Sequence, residues 1–294
     1  GKETEKDFDA CVQETISTIH KAKNNKYIPF CVFKITGMAR FALLEKVSAG
    51  SQLSDIEKQE FERIKARVNK ICKTAFDDGV PVFIDAEESW IQKSIDEMAD
   101  CAMADCNKER VIVYNTFQLY RTDRLAFLKS SFEKAKMGNY LLGAKLVRGA
   151  YMEKERARAI ENSYHSPIQE NKEATDRDYD LALSFCLGHI EQIGLCAGTH
   201  NEQSSTYLVK LMSEKNIPSN HHHIVFSQLF GMSDHISYNL AAANYNVAKY
   251  VPYGPVKEVL PYLIRRAQEN TSVKGQTGRE LGLIIKEQER RKRS

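Results

Sequence analysis

Short runs of β-branched and aromatic residues alternate along this chain with longer stretches whose apolar positions recur every three or four residues. The short runs are FCVFKITG (30–37), VPVFIDAEE (80–88), RVIVYNTFQ (110–118), LLGAKLVRGAY (141–151), GLCAGTHN (194–201), HHIVFSQLFG (222–231) and NVAKYVPYG (246–254). Between them, segments such as LSDIEKQEFERIKARVNKICKTAFDDG and SSTYLVKLMSEKN have helical spacing and close on Gly or Asn, a stop signal. Strand and helix in repeated alternation predict an α/β protein built on a parallel sheet or barrel, with its helices outside. Seven strands are one short of a closed (β/α)8 barrel, so the missing first strand is expected upstream of Gly1. With no low-complexity linker and no short-period repeat, residues 1–294 are expected to form a single domain.

Near the end, VLPYLIRRAQEN (259–270) is a two-sided helical pattern. At about 100° per residue, Leu260, Leu263, Ile264 and Ala267 share one face, and Tyr262, Arg265, Arg266 and Glu269 share the other. Such a charged face ordinarily points to water. Whether the two adjacent arginines here follow that rule depends on the rest of the chain.

The polar residues of the strands cluster at their ends: Lys34, Asp85, Gln118, Lys145 with Arg148, Thr199 with His200 and Asn201, Gln228 and Tyr250. In a parallel barrel all C-terminal strand ends meet on one face, where barrel enzymes assemble their sites, so a shared pocket is predicted. GAKLVRGAY places Lys145, Val147, Gly149 and Tyr151 on one side of a strand and its exit, and Gly143 and Gly149 are expected to leave room for a flat ligand. GTHNEQS reads as a strand running into a helix start, where backbone N–H groups and His200 can receive phosphate oxygens. In IDAEESW, Asp85 is expected to pair with a site cation, while Glu87 and Glu88 cap the following helix.

Composition narrows the chemistry. At 294 residues, 42% hydrophobic and 28% charged, the chain has the make-up of a folded enzyme-sized protein, and a net charge of +3 gives no case for a nucleic-acid partner. Seven cysteines without a CxxC predict reduced thiols, with Cys31 and Cys196 as packing residues. Successive histidines at 221–223 point to alternate faces of a strand and do not make a closed metal site. There is no GxGxxG, P-loop or GxSxG pattern, no apolar run of transmembrane length and no visible targeting segment. Gly1 in place of Met reads as a processed or trimmed start.

FKITG, FIDAEES, YNTFQLY, GAKLVRGAY, GTHN, QLFGMSDH and AKYVPYGPVKEVLPYLIRRAQENTS, in this order, resemble the proline dehydrogenases, above all the monofunctional type of mitochondria and many bacteria. The match runs from about residue 30 to the end. The resemblance implies a distorted (β/α)8 TIM barrel holding FAD, with its last helix over the barrel mouth. It also implies oxidation of L-proline to Δ1-pyrroline-5-carboxylate by hydride transfer to flavin N5. On this reading Arg265, Arg266 and Lys34 grip the substrate carboxylate, Glu269 fixes Arg265, and Tyr250 and Tyr262 wall the ring. Tyr250 further implies proline over hydroxyproline. Gln118, Lys145, Val147, Gly149 and Tyr151 fall to the flavin and ribityl region, Thr199, His200 and Asn201 to the pyrophosphate, and Ile84 and Leu229 to the cofactor ring. Lys145 stands where many bacterial members have arginine, and Asp85 tunes or orients the neighbouring cations.

Electrons are expected to pass to a membrane quinone, with peripheral membrane contact at the inner face of a bacterial membrane or in the mitochondrial matrix. Three rivals remain. Hydroxyproline dehydrogenase of the same family is separated by Tyr250, a barrel aldolase or decarboxylase would use Lys34 or Lys145 as a Schiff-base amine, and a catalytically silent binding barrel would keep the charged helix as a solvated surface.

Overall fold

The computed structural model describes residues 3–254, 256–257, 259–260, 263–264 and 276–293. By contacts the chain divides into two units, Gly1–Lys249 and Tyr250–Ser294, where the sequence pattern predicts one domain.

The first unit opens with helix α1 (Glu5–Ala22), then strand β1 (Cys31–Phe33), a 3-10 turn (Ile35–Gly37) and helices α2 (Phe41–Ser48) and α3 (Asp55–Asp78). Strand β2 (Val82–Ile84) leads to α4 (Ser89–Cys106), β3 (Val113–Gln118) to α5 (Arg124–Met137), and β4 (Leu142–Val147) to α6 (Met152–Glu161) and α7 (Lys172–Gly188). Strand β5 (Ile193–Gly198) is followed by α8 (Glu202–Glu214), and β6 (Ile224–Leu229) by α9 (Asp234–Ala242). Strand β7 (Val247–Tyr250) ends at the first residue of the second unit, in which residues 256–257, 259–260 and 263–264 are helical and the last helix is α10 (Gln276–Arg293).

All seven strand predictions are borne out. They form one sheet in the order β1 to β7, and every registered pair from β1 to β6 is parallel. Sequential parallel order is what consecutive βα units produce when each crossover is right-handed. The fold is α/β of the barrel type, and the first described element is α1.

Local chemistry explains the helix limits. Ser54 and Glu57 form a reciprocal capping box at the start of α3, and Gly79 ends it in the left-handed region at φ 70°. The Asp–Asp–Gly stop legible in the sequence is therefore a true helix end.

Alternation along the strands separates two apolar layers. Val82, Ile84, Val113, Leu142, Ala144, Leu146, Leu195 and Phe226 belong to the large core between sheet and helices. Phe83, Val111, Tyr114, Cys196 and Val225, with Val32 and Ala248 packed beside them, form a smaller cluster on the inner face. Tyr114 fills the space over Gly194, where a Cβ would lie 2.7 Å from its hydroxyl. The inner face is thus packed with apolar side chains at this level, and polar inner positions begin one step further toward the strand ends.

Candidate active site

Continuing the inner-face alternation by two residues from Val32 and Phe83 gives Lys34 and Asp85, and from Tyr114 it gives Thr116 and Gln118. The expected pairing of Asp85 with a cation is present: Lys145 Nζ lies 2.6 Å from Asp85 Oδ1. The ammonium also stands 5.1 Å from the centroid of the Phe83 ring. Cys196, the register partner of Lys145, is fully buried, and burial pushes its thiol up to about 12, so it packs and is no ready nucleophile.

Lys34, which precedes the 3-10 turn, donates to the Tyr151 hydroxyl at 2.8 Å. By surface area Lys34 is exposed, yet enough protein surrounds its ammonium for desolvation to count against the charge. The neighbouring Tyr151, Glu87 and Asp85 outweigh that cost and hold it above the ordinary lysine value. Two members of the predicted carboxylate and flavin sets, Lys34 and Tyr151, are therefore brought together across 117 positions of sequence.

Gln118 is buried and donates to the Glu87 carbonyl at 2.8 Å. Val147 and Leu229 end their strands half-buried on the inner alternation. Ile84 differs from the expectation: its side chain is fully buried in the sheet–helix core, on the opposite face of β2 from Asp85, and does not line the concavity. The glycines differ as well. A Cβ on Gly143 would sit 2.1 Å from the Val113 carbonyl oxygen, and one on Gly149 2.4 Å from the Tyr120 ring. The space they leave is filled by the protein itself, and Gly149 at φ 140° serves the chain's exit from β4.

The start of α8 is organised from the opposite rim. Arg148 donates to Asp176 at 2.7 Å, to Thr199 Oγ1 at 2.7 Å and to Ser204 Oγ at 3.0 Å, with its guanidinium 4.4 Å above the Tyr179 ring. The Asn201 N–H donates to Thr199 Oγ1 at 3.0 Å, and the Asn201 side chain caps α8 by accepting from Gln203 and Ser204 N–H. Thr199 and Asn201 thus use their side chains to shape the turn. His200 Nδ1 is 3.0 Å from Ser233 Oγ.

Two contributors escaped sequence reading. Glu87 was expected to cap a helix; instead its buried carboxylate accepts from Thr36 N–H at 3.1 Å and Thr36 Oγ1 at 2.6 Å. The signal available was its place two residues beyond Asp85, on the same alternation. Glu88 holds the position before α4 without a side-chain cap bond and pairs with Lys154. That helix start is capped by fully buried Glu155 of α6, which accepts from Ser89 N–H and Ser89 Oγ, both at 2.6 Å. Arg158 of α6 pairs with Glu45 of α2 and stacks over Trp90 at 4.4 Å.

Tyr250 closes β7. Tyr262, Arg265, Arg266 and Glu269 lie outside the described residues. Among the described residues no cluster of His, Cys, Asp or Glu is arranged to hold a metal, and no helix is long and apolar enough to cross a membrane.

A family model described as "Proline dehydrogenase" matches residues 1–279. Mitochondrial proline dehydrogenase 1 of Drosophila melanogaster is 39% identical over 251 residues, covering 82% of this chain and 37% of that protein. The human mitochondrial proline dehydrogenase 1 is 38% identical, covering 83% of this chain and 41% of that protein. A hydroxyproline dehydrogenase of Xenopus laevis is 39% identical, covering 84% and 54%. The chain thus spans about two fifths to just over half of the length of these relatives. Among solved structures, proline utilization A from Bdellovibrio bacteriovorus, inactivated by N-propargylglycine, superposes with a TM-score of 0.82 at 21% identity, over 93% of this chain and 29% of that one. That likeness carries the fold, and the sequence relatives and the family model carry the rest: the chain belongs to the proline dehydrogenase family.

Proposed function

We propose that this chain is the catalytic barrel of an FAD-dependent L-proline dehydrogenase that forms Δ1-pyrroline-5-carboxylate. The observation that carries the reading is the cation pair at the strand ends, Lys145 beside Asp85 and Lys34 beside Tyr151, set over a packed floor in a chain of this family. The donor set fits a flavin dinucleotide. Lys145 offers positive charge where a reduced flavin gains negative charge, and Gln118, Val147, Tyr151 and Leu229 are the further residues that would border the ring and ribityl chain. At the other rim, His200 and the positive end of α8, shaped by Thr199, Asn201 and Arg148, suit the pyrophosphate.

When bound, the flavin supplies hydride acceptance at N5 from the ring carbon next to the proline nitrogen, and its electrons go on to a membrane quinone. The protein's part is orientation and charge. Lys34 stays protonated among its acidic neighbours and is the described residue proposed for the substrate carboxylate; the resemblance to the family adds Arg265 and Arg266 to that role, Glu269 as the partner of Arg265, and Tyr250 and Tyr262 for the ring. Asp85 fixes the Lys145 ammonium by their 2.6 Å contact. A quinone acceptor implies peripheral membrane contact. The mitochondrial names of relatives support a mitochondrial location, for which the matrix side of the inner membrane is the proposed face, and the inner face of a bacterial membrane is the counterpart in a bacterial source. The Xenopus relative keeps hydroxyproline as the second substrate to be tested.

The deciding experiment is the visible spectrum of protein purified in FAD, before and after anaerobic L-proline. Bleaching by proline, and much less by trans-4-hydroxy-L-proline, is expected. Preferential bleaching by hydroxyproline would transfer the assignment to that substrate, and a bound flavin that neither bleaches would overturn it.

A further inference from the structure

Glu87 is a closely confined acid near the mouth. Only 4% of the residue is exposed, and both its backbone and its side chain are held. Its N–H donates to Gln92 Oε1 at 2.8 Å, and its carbonyl accepts from Gln118 Nε2 at 2.8 Å. Gln92 is fixed in turn by Asp96 at 2.9 Å, and Asp96 is gripped by Asn115 and Arg124. This buried chain of bonds runs from α5 through α4 to the end of β2 and leaves Glu87 little freedom to relax. Its carboxylate reaches across to the neighbouring strand's exit and takes both the N–H and the hydroxyl of Thr36.

Thr36 is the central residue of the 3-10 turn that begins directly after Lys34, and Gly37 N–H closes that turn on the Lys34 carbonyl at 3.2 Å. Pinning Thr36 therefore pins the backbone that carries Lys34. A carboxylate bonded to an amide and a hydroxyl is a poor residue to bury for stability alone, since apolar packing would do the same without desolvating a charge.

We propose that Glu87, acting through Thr36, is the positioning residue that sets Lys34 for capture of the substrate carboxylate. This rests on the reading of Lys34 given above. Glu87 touches neither substrate nor cofactor; it acts by fixing the turn through its two bonds to Thr36, while burial pushes its own carboxyl above the ordinary value. A group of this kind affects binding of an amino acid more than the chemical step, so its loss raises KM for proline and spares kcat.

The test uses flavin-loaded protein and steady-state proline oxidation with an artificial quinone acceptor. Glu87→Ala is expected to raise KM about tenfold, the size of one charge-assisted hydrogen bond, with kcat within about twofold and flavin content unchanged. Glu87→Gln, which keeps an acceptor for the Thr36 N–H, recovers most of the loss. Thr36→Val, which removes only the hydroxyl bond, gives an intermediate KM and stands in if Glu87→Ala does not fold. In a Lys34→Met background, the Glu87 and Thr36 substitutions should add little, since they act through the missing ammonium. An unchanged KM in Lys34→Met would overturn the reading of Lys34 itself. A raised KM there, with additive effects of Glu87→Gln or Thr36→Val or with their losses confined to kcat, would overturn the role of Glu87 alone.

Discussion

Lys145 of β4 and Asp85, the residue that follows β2, meet at 2.6 Å although β3 lies between the two strands. The pair bridges a whole strand on the inner face, and Thr116 of β3, beneath it, turns its hydroxyl to the Ile84 carbonyl at 2.7 Å. Removing the carboxylate should therefore disturb both charge and curvature. Asp85→Asn is expected to lower unfolding free energy by roughly 1–2 kcal/mol in urea titration, because it takes the carboxylate away from the Lys145 ammonium of a part-buried pair. Under the proposed function it also slows anaerobic bleaching by proline. A variant as stable and as fast as the parent would remove this pair from the site.

The glycines of β4 and its exit give a sharper steric forecast. Gly143→Ala brings a methyl group to 2.1 Å from the Val113 carbonyl oxygen, a backbone atom that cannot step aside. A loss above about 3 kcal/mol is expected by the same titration. Gly188, at the end of α7, has nothing within 4 Å of a built Cβ, and Gly188→Ala should be neutral or stabilising by up to about 1 kcal/mol. Equal effects at the two sites would contradict the close crossing of β3 and β4.

Arg148 is bonded to Asp176, Thr199 and Ser204 at once. Arg148→Met keeps the stem and loses all three bonds, freeing the turn that leads into α8. FAD affinity, measured by equilibrium fluorescence quenching, is expected to fall about tenfold or more. Arg148→Lys should recover little, since a point ammonium does not reproduce the fork. Native affinity in Arg148→Met would separate this turn from cofactor binding.

Tyr250→Ser tests substrate choice. If its bulk excludes a ring hydroxyl, the ratio of kcat/KM for trans-4-hydroxy-L-proline over L-proline should rise about tenfold, chiefly through KM. No change in the ratio would place the discriminating contact elsewhere.

The histidines at 221–223 precede β6 instead of alternating within a strand, and their rings pack together, one pair stacked, one T-shaped and one tilted, with centroid distances of 4.2 to 5.7 Å. Burial, followed by the neighbouring imidazoles, holds His221 below the ordinary 6.5. For His223, burial likewise leads the fall below 6.5. The folded state thus takes up protons later than the unfolded chain on acidification. Stability is full above pH 6.5, declines as pH falls from 6.5 toward the depressed folded values, and levels off below them. Thermal midpoints from pH 7.5 to 5 should show this slope, reduced in His223→Gln. A slope unaltered by that substitution would assign the acid sensitivity to other groups.

Much of this arrangement was legible in the chain. Strand runs such as VPVFIDAEE declare themselves by β-branched alternation, and the inner face follows by counting in twos from Phe83 to Asp85. What escaped depends on partners far away in sequence. Glu87 looks like a helix cap because Ser89 follows it, and nothing local reveals Thr36, 51 positions earlier. Gly143 and Gly149 declare a close approach, but whether a ligand or the protein does the approaching is decided by Val113 and Tyr120. Ile84 takes the outer face because neighbours on a strand point to opposite sides, and Asp85 has the inner one.

Helix α6 gives the early part of the chain a late dependency. Ser89 waits for Glu155 to satisfy it, 66 positions on, and Glu45 for Arg158, 113 positions on. During synthesis, the first three strands and their helices leave the ribosome before any of these partners exist. The emerging βα units can stack in order, yet their upper rim stays unsealed until residue 158 is free, so nascent chains stalled before α6 should be the ones that chaperones hold and proteases nick near Ser89.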